Sequence, residues 1–315
     1  MNYRKWRLLS KSVLAGIFLL WFSKPIQACE ICGCGAGNLY FGLLPNAERH
    51  SLALRYRQIG FTSHLYPNDP YADLFKTRER FEIVELMGRF QLGNRWNLGF
   101  FLPYAFARQI RTERHFYQQG LADALVQAQY TAWNSDWSSP AADWKHELRT
   151  GAAVKAPIGR WKFATEKAGD VENPNFQPGT GSWDGMATLQ YVLRFKGFGL
   201  QTDAQYRING ANTDGYRFGN RITGNAHLLY VWQWNGKKSL VPFFGLYGES
   251  SQPNRHHGRE VAKTGGQLWM WNLGAQVHYQ SFSLMVQWQT PLKQSLSQGH
   301  IKAENRSLIQ LGYAF

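Results

Sequence analysis

From Ser51 to the last residue, apolar side chains recur with a period of two, and this alternation most restricts what the chain can fold into. Trp96, Leu98, Phe100, Leu102, Tyr104 and Phe106 make an unbroken apolar face opposed mostly by small or polar residues. Leu52, Leu54 and Tyr56 oppose Ala53, Arg55 and Arg57 in the same way, and Phe282, Leu284, Val286 and Trp288 oppose Ser283, Gln287 and Gln289. A helical membrane protein would need runs of roughly 20 apolar residues, and none exists here. Aromatic residues reach 15%, with 13 Trp, yet mean hydropathy is negative. Strands with one apolar face produce that combination.

About twelve such strands are expected between residues 51 and 315, separated by connections that alternate in length. Thr62–Arg80, Ala107–Gln119, Arg160–Gly181, Gly210–Gly219, Ser250–Leu268 and Leu292–Glu304 are long. Leu92–Arg95, Lys196-Gly197, Gln233–Ser239 and Gln280-Ser281 are short, and Asn134–Lys145 is intermediate. A soluble sandwich also alternates, but has no reason to keep long and short connections in step. Nor does it place Trp, Tyr and Phe at both ends of its apolar faces, as membrane interfaces require. The reading is all-β: a transmembrane, antiparallel outer-membrane β-barrel of about twelve strands, in the bacterial outer membrane. Both mature termini are expected in the periplasm.

The end of the chain, Asn305 to Phe315 (NRSLIQLGYAF), puts Ser307, Ile309, Leu311, Tyr313 and Phe315 on one face and Arg306, Gln310 and Gly312 on the other. It resembles the terminal strand of bacterial outer-membrane barrels, whose final Phe is read by the barrel-insertion machinery. That machinery and outer-membrane lipid are the partners implied.

Residues 1–28 read as a signal peptide. Arg4, Lys5, Arg7 and Lys11 precede the apolar Ser12 to Phe22, and Pro25-Ile26-Gln27-Ala28 leads to a small residue suited to cleavage. The segment carries five basic residues and no acidic one, so its removal lowers the formal charge from +14 to +9. The remaining excess, assigned largely to loops, suggests contact with lipopolysaccharide phosphates or attraction of anionic solutes. There is no nucleic-acid motif.

Residues 29–50 form a Cys-rich periplasmic segment before the barrel at 51–315. Cys29, Cys32 and Cys34 sit among glycines closely enough to hold a soft copper or zinc ion. A disulfide between two of them and acylation of Cys29, which follows a passable lipobox, are the alternatives. Within the barrel, Arg55, Arg57, Arg149, Lys155, Asp203, Arg207, His227, Gln276 and His278 fall on lumen-facing positions. Most should form charge ladders lining a polar interior, with a minority touching solute. His256-His257, beside Arg255 and Arg259, reads as a solvated loop patch. Asn225 and His227 share a face, but no serine lies in a nucleophile motif, so no enzyme is expected.

Two segments carry a further likeness. Gly151-Ala152-Ala153-Val154-Lys155-Ala156-Pro157-Ile158-Gly159 closes one strand, and Pro178-Gly179-Thr180-Gly181-Ser182-Trp183-Asp184 opens the next. Together they resemble outer-membrane barrels assigned to the meta-pathway of phenol degradation. The front end, CEICGCGAGNLYFGLLPN followed by LALRYR, is similar to a Cys-rich subset of such transporters. The resemblance implies passage of small, often aromatic, solutes, whereas the cysteines, foreign to phenol-type members, imply a metal-linked role. Two functions are therefore expected to compete. One is an outer-membrane channel for a small-molecule solute, anionic or polar aromatic. The other is a non-transporting binding or anchoring barrel with a metal or redox site.

Overall fold

A computed structural model describes residues 50–64, 76–110, 115–135, 144–161, 174–234 and 238–315. Residues 1–28 and the three cysteines lie outside them.

Twelve antiparallel strands make one closed barrel. They are β1 (Ser51–His64), β2 (Lys76–Leu92), β3 (Trp96–Ile110), a divided β4 (His115–Leu121 and Ala124–Asn134), β5 (Trp144–Ala156) and β6 (Asp184–Phe195). Next come β7 (Phe198–Asn209), a divided β8 (Arg221–Tyr230 and Trp232–Trp234) and β9 (Lys238–Ser251). Last are β10 (Gly266–Tyr279), β11 (Phe282–Leu296) and a divided β12 (Ile301–Ala303 and Arg306–Ala314). Each strand pairs with its chain neighbours. The terminal strand closes the ring, with Leu311 opposite both Leu284 of β11 and Leu54 of β1.

The predicted alternation is the structural one. On β3 the even-numbered residues Trp96 to Phe106 face outward and Asn97, Phe101, Ala105 and Ala107 are buried inside. Outward apolar residues of this kind recur on every strand, Leu54, Val126, Leu228, Leu273 and Val286 among them. From Trp96 to Phe106 the apolar stripe of β3 runs about 33 Å along the strand. At a tilt of about 40° that is about 25 Å of membrane thickness. No described helix is long and apolar enough to cross a membrane, so spanning falls to the strands.

The strands are longer than their sequence limits. β1 reaches His64 and β2 starts at Lys76, so much of the expected Thr62–Arg80 loop is ladder. The connection expected at Leu292–Glu304 is also mostly strand. There Trp269 opposes Lys293 and Met270 opposes Pro291, which leaves Leu292 unmatched. This bulge shifts the inward face from Gln287 to Leu296 and so breaks the period of two that sequence reading follows. A bulge also tolerates Pro291, which has no N–H to give the ladder.

The interior is not polar throughout, contrary to expectation. At the long-loop end Ile59, Phe61, Phe81, Ile83, Leu268 and Met270 belong to a buried apolar cluster. Phe176 joins it from the connection between β5 and β6, where Pro174–Phe176 makes one 3-10 turn inside the barrel. Its ring meets that of Phe81 edge-on, with centroids 6.1 Å apart. Two smaller clusters lie deeper, one around Met87, Phe101 and Met186 and one around Leu229, Val241 and Phe243. Where side chains fill a barrel's interior they pack as a core, and apolar residues are accommodated there beside polar ones.

Candidate functional site: the barrel interior

Below the apolar cluster runs a belt of buried charges. Arg55 and Arg57 are successive inward residues of β1, and both meet Glu85, which lies opposite Arg55 on β2. Arg55 Nε donates to Glu85 Oε2 at 2.8 Å, and Arg57 Nη2 lies 3.7 Å from Oε1. From β12, Arg306 approaches Glu249 of β9, its Nη1 3.9 Å from the carboxylate, which also accepts from the Tyr247 hydroxyl. The Arg306 guanidinium is stacked between two rings, 5.8 Å from the centroid of Phe61 and 5.6 Å from that of Tyr247. It therefore marks the level where apolar lining gives way to charge, a cation–π arrangement strengthened by loss of water. Sequence reasoning placed Arg306 on the polar face of the last strand but did not single it out. Its shared face with Gln310 was the available signal.

A second group is a relay of amides. Asn225 Nδ2 donates to Asp203 Oδ2 at 2.9 Å, Asn272 Nδ2 lies 3.3 Å from Asn225 Oδ1, and Gln289 Nε2 donates to Asn272 Oδ1 at 2.7 Å. The Asn272 amide also lies 3.0 Å from His227 Nε2. Asp203, Asn225, Asn272 and Gln289 are far apart in the sequence and are brought together by strand register, which sets Asn225 opposite Asp203 and Asn272 opposite Gln289.

Lys155 belongs to a third group, where the connection from β5 to β6 enters the barrel. Its ammonium lies 2.7 Å from Asp123 and 2.9 Å from Asp184. Asp123, at the break in β4, also accepts from Gly159 N at 3.1 Å, Thr180 N at 2.9 Å and Thr180 Oγ1 at 2.7 Å. Ser182 Oγ and Gly210 N donate to Asp184, and Arg207 stands within electrostatic reach of both carboxylates. Lys155 and Gly159 come from one of the two segments carrying the family likeness, and Thr180, Ser182 and Asp184 from the other. In space they form one clasp. Gly159 and Gly179 touch backbone to backbone, and a Cβ on Gly179 would lie 2.6 Å from the Gly159 carbonyl carbon.

Arg149 stands apart toward the short-turn end, its Nε 2.6 Å from Glu147. His278 is half-buried near the end of β10 and Gln276 is buried two residues before it. His256 and His257 lie in the loops, their rings 4.3 Å apart. Among the described residues no cluster of His, Cys, Asp or Glu could hold a metal, and Cys29, Cys32 and Cys34 lie outside these residues.

The lumen is less basic than the sequence implies. Among the described residues seven cations are buried (Arg55, Arg57, Arg89, Arg149, Lys155, Arg207 and Arg306) against six carboxylates (Glu79, Glu85, Asp123, Glu147, Asp184 and Glu249). Burying unpaired charge is costly, so a filled barrel balances its interior and carries its excess elsewhere. Between Arg55, Arg57, Asn225, His227 and Arg306 remains a void of about 40 Å³, space for a few water molecules.

No family model matches this chain, and no curated protein does. Solved structures match in fold. An outer-membrane channel from Pseudomonas putida F1 superposes with a TM-score of 0.64 at 16% identity, over 89% of this chain and 99% of that one. The β-domain of the Bordetella autotransporter BrkA does so with a TM-score of 0.50 at 12% identity, over 85% and 100%. Twelve closed strands, an apolar exterior and these likenesses make the chain a β-barrel of the bacterial outer membrane.

Proposed function

We propose that the barrel is a channel for small solutes that join an apolar body to a polar or anionic group, held here in a closed arrangement. The observation that carries this reading is the Arg306 guanidinium between Phe61 and Tyr247, at the junction of apolar lining and charged belt. A solute descending from the long-loop end would exchange apolar contacts for hydrogen bonds at Arg306, Arg55 and Arg57. The barrel then supplies binding and exclusion rather than chemistry. Likeness of the Gly151–Gly159 and Pro178–Asp184 segments to phenol-pathway transporters agrees with an aromatic solute. The cysteines enter the proposal through their spacing alone. Because β1 begins at the short-turn end, Cys29, Cys32 and Cys34 would act at the periplasmic mouth as copper or zinc ligands, and Cys32→Ser would then abolish stoichiometric metal uptake.

Conductance across planar bilayers tests the channel. Wild-type protein should conduct weakly and Phe176→Ala more strongly, and Arg306→Ala should shift ion selectivity away from anions. Absence of flux in the wild type, in Phe176→Ala and in a variant lacking residues 162–173 would sink the channel. The packed interior, with a void of about 40 Å³ at the belt, favours the second reading in that case: a non-transporting barrel that binds or anchors a partner.

A further inference from the structure

Outside the barrel, at the long-loop end of β2 and β3, two arginines face each other in the lipid-facing wall. Arg80 and Arg108 are directly opposed in the ladder, on the outward face, and both are exposed. Like charges placed so are destabilising. Neither forms an ion pair among the described residues. Arg108 lies over the ring of Tyr117, 5.3 Å from its centroid. Among the described residues Arg80 meets the Gln58 amide, which accepts from it at 2.8 Å when its oxygen is turned toward the guanidinium. Arg78, one outward position along β2, faces Glu304 at 4.0 Å with both side chains largely exposed. Among the described residues Glu82 is the one carboxylate lining the pocket beside the pair.

That pocket has a volume of about 410 Å³ and is walled by Arg80, Glu82, Phe106, Arg108, Tyr117 and Gln119, among others. Its height is set by the apolar stripe. On β3 the outward residues from Trp96 to Phe106 fill the membrane thickness, and Arg108 is the next outward residue beyond them. On β2, Phe90, Leu86 and Val84 give way to Glu82, Arg80 and Arg78. The pair thus stands at the headgroup level of the leaflet on the long-loop side, the external one in an outer-membrane barrel. Below it lie Tyr104 and Phe106, exposed and with centroids 5.1 Å apart.

We propose that Arg80 and Arg108 form a binding site for one phosphate of a phosphorylated glycolipid of the outer leaflet, its acyl chain lying along Phe106 and Tyr104. A phosphate between two guanidiniums removes their repulsion, and each planar fork can give it two parallel hydrogen bonds. The charge excess absent from the lumen is in part here, on the wall. This goes beyond a transport role and stands whether or not the barrel conducts.

Native mass spectrometry of the refolded full chain in detergent micelles tests it, with lipid A carrying both phosphates and lipid A stripped of them as probes. The expected result is a 1:1 adduct with phosphorylated lipid A. Arg80→Gln/Arg108→Gln should weaken it at least tenfold, and the dephosphorylated form should bind no better than to the double variant. Inorganic phosphate at the same concentration should form no adduct, which separates a lipid headgroup from a free ion. Equal binding by wild type and double variant, or equal binding of the two lipid forms, would overturn the site. Thermal melting guards against misfolding. Without lipid, the double variant should melt no lower than wild type, since a repulsion has been removed. Lipid A should raise the melting temperature of wild type alone. A double variant that melts lower without lipid would mean the arginines stabilise the wall by themselves, and would also overturn the proposal.

Discussion

Glu85 stands where two buried guanidiniums converge, and its replacement tests how the interior is held. Glu85→Gln leaves the buried guanidiniums of Arg55 and Arg57 without their shared carboxylate. Removing one partner of a buried ion pair costs about 3–5 kcal/mol. The folded band in unheated gels should therefore vanish at clearly lower urea than for wild type; an unchanged midpoint would mean water reaches the belt. Gly179→Ala probes the clasp from the backbone side. The added methyl would meet the Gly159 carbonyl carbon at 2.6 Å, and neither chain can yield without breaking the Gly179 N to Arg160 O hydrogen bond of 3.0 Å. The variant should melt lower by an amount typical of overpacking, about 1–3 kcal/mol, whereas Gly185→Ala, with open space around it, should melt like wild type.

At the scale of elements, the described ends of the connection from β5 to β6, at Gly159 and Thr180, are held by the break in β4. Ala122 and Asp123 leave the ladder between the two parts of β4, and Asp123 turns inward to collect Lys155, Gly159 and Thr180. Asp123→Asn keeps the shape but removes the charge and one acceptor site, a loss of about 1.5–3 kcal/mol for hydrogen bonds to a charged group. Limited trypsin digestion should then cut faster at Arg160, Lys162 or Lys167, and bilayer conductance should rise; resistance equal to wild type would show that the turn around Phe176 holds the connection alone. The segments Gly151–Gly159 and Pro178–Asp184 were visible in the sequence as a pair. Their meeting at Asp123 was not, because it depends on a β4 residue with no motif of its own.

For the molecule as a whole, closure depends on β12. Its outward residues Ile309, Leu311 and Tyr313 complete the apolar belt, and Phe315 N donates to His50 O at 2.9 Å where the two ends of the barrel chain meet. Deleting Phe315 removes little packing, so purified protein should refold in detergent nearly as wild type does. If the terminal aromatic is read by the insertion machinery, the amount of heat-modifiable protein in outer membranes should nonetheless fall several-fold. Equal losses in both settings would assign Phe315 a purely structural role.

The period of two determined the strands, their outward faces, their even number and the membrane, because each residue's side of a spanning sheet follows from its neighbours along the chain. It also placed Arg55, Arg57, Arg149, Lys155, Asp203, Arg207 and His227 on the inner face. Tertiary structure alone decided what those residues meet. Glu85 reaches Arg55 through the β1–β2 register, and Phe176 fills the lumen because its connection folds inward. Arg80 opposes Arg108 only because β2 and β3 extend into segments that read as loops. Strand periodicity is local, whereas register, bulges and inward-folded connections are fixed by closing the ring. Closure joins residues far apart in the chain.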